Sequence, residues 1–224
     1  MSTACGIPDF RSNGGIWQGS EGKENMKLFS NAGFRQSPGK FYKLFRQLFE
    51  IYRDINIPGP YEYLKRLGDN RLRAVIATQN VDGLHNKYAS SNFEIYEVHG
   101  TAFTCSCTKC GSKLDTDYIL DNLASGYPQS RCCKAVIKPD MILFDDALPG
   151  QFHAVSAAAQ DCDFVLVLGS SLAVTTVPKI LEPFSQFQRA IVNLQPTPFD
   201  SKFGIVIHGD ITEVLKQLCD YLTY

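Results

Sequence analysis

Four short apolar runs constrain the fold of this chain more than any other feature. Continuous runs of this kind, rich in β-branched residues, are typical of strands buried on both faces. Helical patterns alternate with them, for example over residues 39–55. The alternation predicts an α/β fold with a doubly wound parallel sheet. The four runs are Leu72 to Thr78, Asp163 to Ser170, Arg189 to Leu194 and Phe203 to Gly209.

A cysteine-rich segment interrupts this alternation. Five of the eight cysteines lie between Cys105 and Cys133, among glycines and polar residues. Such clustering favours a metal site, and a disulfide framework is the less favoured alternative. We therefore expect a small inserted module over residues 104–137, with residues 1–103 and 138–224 forming one larger domain.

Polar residues directly follow three of the predicted strands. The backbone amides of glycine and serine can approach a phosphate, while amides and carboxylates suit ribose hydroxyls. A capped or hydrogen-bonded turn explains each group alone, but three such ends in one sheet favour a nucleotide. The chain contains no G-x-G-x-x-G, the usual dinucleotide motif. The residues concerned are Gln79, Asn80, Asp82, Gly169, Ser170, Ser171, Asn193 and Gln195.

His99 is the candidate proton acceptor. It precedes Gly100, and histidine is the side chain best suited to exchange a proton near neutral pH. From the residues alone, a core histidine and a zinc ligand remain open alternatives. The other three histidines, His85, His153 and His208, have neighbours that suggest only structural roles.

Cys107 and Cys110 form a C-x-x-C pair, which can hold one tetrahedral zinc ion from a tight turn. The second pair is unusual, because Cys132 and Cys133 are adjacent and Ser130 stands where a thiol is expected. Adjacent side chains in extended backbone point to opposite faces, so the fourth ligand stays open, with Cys105 as a spare candidate. Zinc remains the predicted metal.

Charge and hydropathy exclude other classes. The chain has 22 Lys and Arg against 23 Asp and Glu, a net charge of -1, which gives no overall attraction to nucleic acid or anionic membranes. No apolar run is long enough for a membrane helix, and the first residues lack a secretory signal. We expect an intracellular protein, cytoplasmic or nuclear.

Seven segments occur in the order typical of the sirtuins. They are GIPDFRS, TQNVDGLH, VHGT, the C-x-x-C module, IKPDMILF, LGSSLAV and GDITEVL. The chain resembles this family of NAD-dependent protein lysine deacylases over nearly its whole length. The resemblance implies a large Rossmann-like NAD-binding domain and a small domain with one structural zinc ion. The acylated lysine of a histone or another protein meets NAD between them, and no sequence-specific nucleic acid or membrane is involved.

The resemblance also assigns roles to individual residues. His99 becomes the general base, and the acyl group passes from lysine to ADP-ribose with release of nicotinamide. The zinc ligands become Cys107, Cys110, Cys133 and Cys132, and the peptide-binding residues Ile137, Lys138 and Phe144. The NAD-binding residues become Ser2, Thr3, Asp9, Phe10, Arg11, Gln79, Asn80, Val81, Asp82, Gly169, Ser170, Ser171, Asn193, Leu194, Gln195 and Ile211.

Two groups of residues bear on the substrate. Phe144, Asp145 and Asp146 replace the family's usual Phe-Gly-Glu, which either shifts preference toward basic peptides or forms a solvated acidic turn. Phe45 and Leu48 align with the Tyr and Arg of desuccinylating members. An apolar pair cannot neutralise a carboxylate, so acetyl or a longer apolar acyl group is expected.

Two alternative functions remain open, a protein mono-ADP-ribosyltransferase and an inactive sirtuin-like binding protein. The second has a specific basis, because the family begins with a strand and a Gly-Ala-Gly-x-Ser loop, and here Met1 directly precedes the matching Ser2. We therefore expect the sequence to lack a central strand, as in a truncated gene model, and such a chain to fold poorly or bind NAD weakly.

Overall fold

The predicted alternation of strands and helices is present in the computed structural model, which describes residues 1–8, 19–69, 72–123, 126–147, 149–172 and 177–222. Its α-helices are α1 (Gly19–Leu28), α2 (Asn31–Gln36), α3 (Pro38–Asp54), α4 (Tyr61–Asp69), α5 (Leu84–Tyr88), α6 (Thr116–Asp121), α7 (Gly150–Ala158), α8 (Val177–Leu181) and α9 (Ile211–Leu222). Its strands are β1 (Ala74–Thr78), β2 (Phe93–Glu97), β3 (Gly100–Cys107), β4 (Lys113–Asp115), β5 (Ile137–Met141), β6 (Val165–Leu168), β7 (Arg189–Asn193) and β8 (Ile205–His208).

All four apolar runs form strands, and a fifth parallel strand, β2, joins them. Within the described residues these strands make two parallel sheets, one of β1 and β2 and the other in the order β6-β7-β8. The register aligns Ala74 with Phe93 in the first sheet and Val165 with Arg189 in the second. The predicted α/β class with parallel strands is confirmed.

Helices cover both faces of the β6-β7-β8 sheet. Val167 and Ile191 pack with Leu181 of α8, while Val192 on the opposite face packs with Leu215 of α9. The prediction that all four runs are buried on both faces is wrong for β8, whose four residues are exposed. The strand β8 pairs only with β7 and forms an edge, so its apolar side chains have less of the protein to pack against.

The cysteine-rich segment contributes to a third sheet, which is antiparallel with the order β4-β3-β5. The central strand β3 begins at Gly100, directly after His99, and β5 continues to Met141. The expected module boundaries at 104 and 137 thus fall inside β3 and at the first residue of β5. The division into two domains stays a prediction.

The helix α3 supplies the largest aromatic part of the core. Phe41, Tyr42, Phe45 and Phe49 lie on its buried face, and the Phe41 and Phe45 rings stack with centroids 5.6 Å apart. Phe49 then meets Phe103 of β3, with ring centroids 5.1 Å apart. Apolar residues spaced three and four apart share one face of a helix, so the sequence places these rings together.

Three hydrogen bonds join α3 to the small sheet and to α6. The Tyr42 hydroxyl donates to the carbonyl of Ile137 at 2.7 Å. The Arg46 guanidinium donates to the carbonyls of Leu120 and Leu123 at 2.6 and 3.1 Å, at the C-terminal end of α6. The bonds from Arg46 pair with carbonyls at the end of a helix, where backbone acceptors lack intrahelical partners.

In the part of the chain that the structure describes, no helix is long and apolar enough to cross a membrane.

Gly100 joins the segment of His99 to β3 in a conformation that only glycine adopts without strain. Its φ is +69°, and an added Cβ would lie 2.0 Å from the carbonyl oxygen of Asp140. Gly126 offers a comparison, because its φ is +80° and nothing lies within 4 Å of an added Cβ.

We expect Gly100→Ala to destabilise the fold more than Gly126→Ala. Gly126→Ala should cost about 1 to 2 kcal/mol from the left-handed conformation alone. Gly100→Ala should cost roughly 1 to 3 kcal/mol more, because the backbone of β5 must move to make room for the added methyl group. Denaturant unfolding of both variants measures the difference, and equal losses would contradict this account of Gly100.

Candidate functional site

A buried polar cluster lies at the carboxyl end of β1. The Ser2 hydroxyl donates to an Asp82 carboxylate oxygen at 2.5 Å and accepts from the Asn80 amide at 2.8 Å. The other Asp82 oxygen accepts from the backbone N–H of Leu84 at 3.0 Å, and Asp82 is only 4% exposed. Because a buried carboxylate is stable only when hydrogen-bonded, these contacts hold Asp82 in a fixed orientation.

Tyr61, at the start of α4, belongs to the same cluster. Its hydroxyl lies 3.5 Å from the Asn80 amide nitrogen, and its ring is buried. Burial raises the pKa of Tyr61, with the charge of Asp82 acting in the same direction, so the phenol stays neutral. Tyr61 could not be predicted as a site residue from the sequence, because a tyrosine in a Pro-Gly-Pro-Tyr turn carries no recognisable chemical motif.

Gln79 carries an unused hydrogen-bond donor beside this cluster. Among the described residues, its buried side-chain nitrogen has no hydrogen-bond partner. Buried amides are almost always paired, so this nitrogen is available to donate to the oxygen of a ligand or a water molecule. Val81 is half-buried and its carbonyl accepts from Ala102 at 3.0 Å, while Thr3 is exposed in the turn Ser2–Cys5.

The turn after β6 has an unusual backbone. Gly169 has a φ of +63°, and an added Cβ would lie 2.7 Å from a methyl carbon of Ile211. Leu172 also has a positive φ, +55°, and is buried. The Ser170 hydroxyl accepts from the Leu172 N–H at 3.2 Å, and Ser171 is exposed. Strained, glycine-dependent turns often occur where a ligand approaches the backbone.

The residues after β7 lie at the same edge of the sheet. The Asn193 amide donates to the carbonyl of Gln195 at 2.7 Å, while Leu194 is 69% exposed. Gln195 is exposed as well. These side chains follow the strand next to β6, so the sheet brings them to the edge that carries Gly169 and Ser170.

Met1 lies between the two groups of strand ends. It packs against the aromatic core and also against the cluster of Val192, Ile211 and Leu215. Burial lowers the pKa of its amino group, although Cys5, Asp82 and Asp210 oppose that shift. Asp82, which follows β1, and Ile211, which begins α9, thus both lie close to Met1.

His99 lies between β2 and β3 and is half-buried. Its carbonyl accepts from the backbone N–H of Ile142 at 2.8 Å, which ties it to the segment after β5. The same segment contains Phe144, one of the three residues predicted to bind a peptide. The predicted Asp9, Phe10 and Arg11 lie outside the described residues.

The three predicted peptide-binding residues differ in accessibility. Ile137 is buried, and Phe144 is 40% exposed. The Lys138 ammonium is bound within the protein, donating to an Asp146 oxygen and to the Met141 carbonyl, both at 2.9 Å. Asp145, which stands at the family's usual glycine, has a φ of +68°, so the glycine-like backbone is present although the residue differs.

The positions predicted to set acyl preference belong to the core. Phe45 is 1% exposed and Leu48 is 5% exposed, and both pack among the aromatic residues of α3. Neither position carries a charge. Core packing accounts for their apolar character, and their influence on acyl preference stays a prediction.

Three of the predicted zinc ligands converge. The sulfur atoms of Cys107, Cys110 and Cys133 lie within 4.8 Å of one another. The Cys132 sulfur is 3.3 Å from that of Cys110, and the Cys107 and Cys133 sulfurs are 3.4 Å apart. These separations exceed the roughly 2.05 Å of a disulfide and are close to the spacing of thiolates around one zinc ion. The three sulfurs of Cys107, Cys110 and Cys133 therefore fit zinc, whereas Cys132 contacts Cys110 but lies outside this mutually close group.

Cys105 is separate from this group. It is buried, and its sulfur contacts the Thr116 hydroxyl at 3.1 Å. Burial raises the pKa of Cys105 to about 12, so it stays a neutral thiol. Ser130, where a thiol was expected, lies 3.0 Å from the Cys132 sulfur.

Two other histidines each pair with a carboxylate. His85 is fully buried, with one ring nitrogen 2.8 Å from Glu97. His208 lies 2.8 Å from Asp200. Both pairs join neighbouring segments of the fold, and the roles of these histidines stay a prediction.

Comparison with known proteins identifies the family to which this chain belongs. The model of the Sir2 family matches residues 1–176. A protein of Bacillus subtilis named NAD-dependent protein deacetylase is 35% identical, with 97% of this chain and 90% of the relative covered. A protein of the same name from Chromobacterium violaceum is also 35% identical, covering 97% and 88%.

Solved structures agree with the sequence comparison. One described as Sir2 with a p53 peptide and NAD+ has a TM-score of 0.82 and 25% identity, covering 99% of this chain and 89% of the other. A second, a Sir2 variant with deacetylated p53 peptide and 3'-O-acetyl ADP ribose, has a TM-score of 0.86 and 25% identity, covering 98% and 89%. The chain belongs to the Sir2 family.

Proposed function

We propose that this protein is an NAD-dependent protein deacetylase, which transfers the acetyl group of an acetyl-lysine to ADP-ribose and releases nicotinamide. The observation that carries the proposal is the buried cluster of Ser2, Asn80 and Asp82, with the unpaired Gln79 amide beside it. The names of the family relatives support the same activity.

The residues at the strand ends fit NAD. The Gln79 amide offers a buried donor to a ligand oxygen, and Gly169 gives the turn after β6 a left-handed backbone that packs against Ile211. Ser170, Ser171, Asn193, Leu194, Gln195 and Ile211 would hold the adenosine and phosphate side. Ser2, Thr3, Val81 and Asp82 would hold the nicotinamide side, together with Asp9, Phe10 and Arg11. When bound, NAD supplies a ribose carbon that is reactive because nicotinamide is a good leaving group.

His99 acts as the general base in this proposal. A neutral imidazole takes a proton from a ribose hydroxyl, which makes that oxygen nucleophilic toward the acyl carbon. The hydrogen bond from Ile142 to the His99 carbonyl fixes the backbone at this point. That bond also keeps His99 next to the segment that would bind the peptide.

One zinc ion would be held by Cys107, Cys110, Cys133 and Cys132. Four thiolates fill a tetrahedral shell and leave no position for substrate, so the ion would be structural. Cys132 completes the set because its sulfur adjoins Cys110, whereas Cys105 contacts Thr116 instead. The ion would join the turn after β3 to the turn before β5.

The substrate would be an acetylated lysine within an extended peptide of a histone or another protein. The segment after β5, with the exposed side chain of Phe144, is the proposed contact surface. Ile137 would support this surface from below, since it is buried. We place the reaction inside the cell, in the cytoplasm or nucleus, where NAD is available and thiols stay reduced.

His99→Ala should abolish deacetylation while leaving the fold intact. Loss of a general base typically lowers the rate by about 10²-fold or more. Turnover of an acetyl-lysine peptide with NAD measures the effect, and thermal unfolding checks the fold. His153→Ala, on the exposed face of α7, is the matched control and should keep full activity. Full activity of His99→Ala would contradict the assignment.

Cys110→Ser should reduce the bound zinc from one ion per chain to a small fraction. Metal analysis of the purified protein by mass spectrometry provides the measurement. Cys162→Ser is the control, because Cys162 bonds to the carbonyl of Ala158 and lies away from the sulfur cluster. One zinc ion retained in Cys110→Ser, or none in the wild type, would count against the site.

Acetyl-lysine peptides should be turned over at least about tenfold faster than succinyl-lysine peptides, because the apolar Phe45 and Leu48 offer nothing to a second carboxylate. Comparing kcat/KM on acetyl-, succinyl- and myristoyl-lysine peptides of one sequence gives the answer. A preference for succinyl-lysine would refute this expectation.

A further inference from the structure

We propose that Asp146 is a positioning residue that fixes the peptide-contacting segment, residues 141–145, through its bonds to Lys138 and Asn31. This inference rests on the proposed deacetylase function and adds to it the residue that orders the peptide surface. We call Asp146, Lys138 and Asn31 the Asp146 cluster.

Both oxygens of the Asp146 carboxylate are used within the protein. One accepts from the Lys138 ammonium and from the backbone N–H of Leu143, each at 2.9 Å. The other accepts a close hydrogen bond from the Asn31 side-chain amide. The side chain of Asp146 is only 10% exposed, so water competes little for these bonds.

The Asp146 cluster joins three segments that are distant in sequence. Lys138 belongs to β5, Asn31 begins α2, and Asp146 lies in the turn after the peptide-contacting segment. Lys138 also donates to the carbonyl of Met141 at 2.9 Å, which ties the first residue of that segment to the same ammonium. The segment is therefore held at both ends by one ion pair.

Backbone bonds place the middle of the segment against the α1–α2 junction. The N–H of Phe144 donates to the carbonyl of Phe29, and the N–H of Asn31 donates to the carbonyl of Phe144, both at 2.9 Å. Phe144 thus uses its backbone groups toward this junction while its side chain remains exposed. Asn31 takes part in both the backbone and the side-chain contact, so the Asp146 cluster stabilises the pairing.

The charge state of Asp146 suits this role. Burial opposes its ionisation, but the hydrogen bonds from Lys138 and Asn31 outweigh burial and hold the pKa below its usual value. The group is a carboxylate at neutral pH and can accept all three bonds. An asparagine would have only one acceptor oxygen and no charge for Lys138.

The same contacts change the role expected of Lys138. Its ammonium donates to Asp146 and to the Met141 carbonyl. Lys138 therefore affects peptide binding by fixing the position of residues 141–145. Lys138 therefore orders the peptide surface together with Asp146.

Asp146→Asn should raise the KM for an acetyl-lysine peptide by at least about tenfold, while kcat and the KM for NAD change less than about twofold. A residue that orders only the peptide surface alters peptide binding and leaves the other parameters unchanged. Lys138→Met should give the same pattern. The double variant should be no worse than either single variant, because both remove one interaction. Asp146→Glu, which keeps the charge, should recover part of the loss.

Asp69→Asn is the matched control. Asp69 also accepts from a lysine, Lys65 at 2.5 Å, and from a hydroxyl, Ser90 at 3.0 Å, but lies at the end of α4. The Asp69→Asn variant should leave the KM for the acetyl-lysine peptide and the KM for NAD unchanged. An unchanged peptide KM in Asp146→Asn, or an equal change in Asp69→Asn, would overturn the proposal.

Amide hydrogen exchange separates this proposal from the proposed function. Exchange over residues 141–145 should become faster in Asp146→Asn and in Lys138→Met, and should stay unchanged in Asp69→Asn. If the wild type shows no turnover, the deacetylase function fails, and faster exchange still supports the positioning role. Unchanged exchange over residues 141–145 in both Asp146→Asn and Lys138→Met would overturn the positioning role of Asp146.

Discussion

The aromatic face of α3 is the contact on which the rest of the structure depends. Phe41, Phe45 and Phe49 form a continuous row of rings that ends on Phe103 of β3. Burying several aromatic side chains contributes about 1.5 to 3 kcal/mol for each, which is a large share of a domain's stability. This row holds the antiparallel sheet, and with it the cysteine turns, against α3.

The polar site is built at the edge of this packing. The carboxyl ends of parallel strands leave backbone groups without partners, and here they are followed by residues that pair with one another around Asp82. The unpaired Gln79 amide and the strained turn at Gly169 are what such a site retains for a ligand. The fold thus places a buried carboxylate and a strained turn where the proposed reaction takes place.

The sequence predicted the elements with strong patterns and missed those set by tertiary contacts. The apolar runs of β1, β6, β7 and β8 were found, but β2 was missed because Glu94 and Glu97 interrupt its apolar residues. Exposure of β8 depends on its place at the edge of a sheet, which a local pattern does not carry. The sulfur cluster followed from spacing, whereas Cys132 beside Cys110 depends on a turn geometry that only the structure shows. Tyr61 and the Asp146 cluster likewise arise from contacts between segments far apart in sequence.

In the proposed reaction, the strand-end site and His99 transfer an acetyl group from lysine to ADP-ribose. Mass spectrometry of all products after incubation with an acetyl-lysine peptide and NAD follows this transfer. We expect equal amounts of deacetylated peptide, nicotinamide and O-acetyl-ADP-ribose. Nicotinamide release with an unchanged acetyl-lysine peptide and ADP-ribose attached to protein would contradict it.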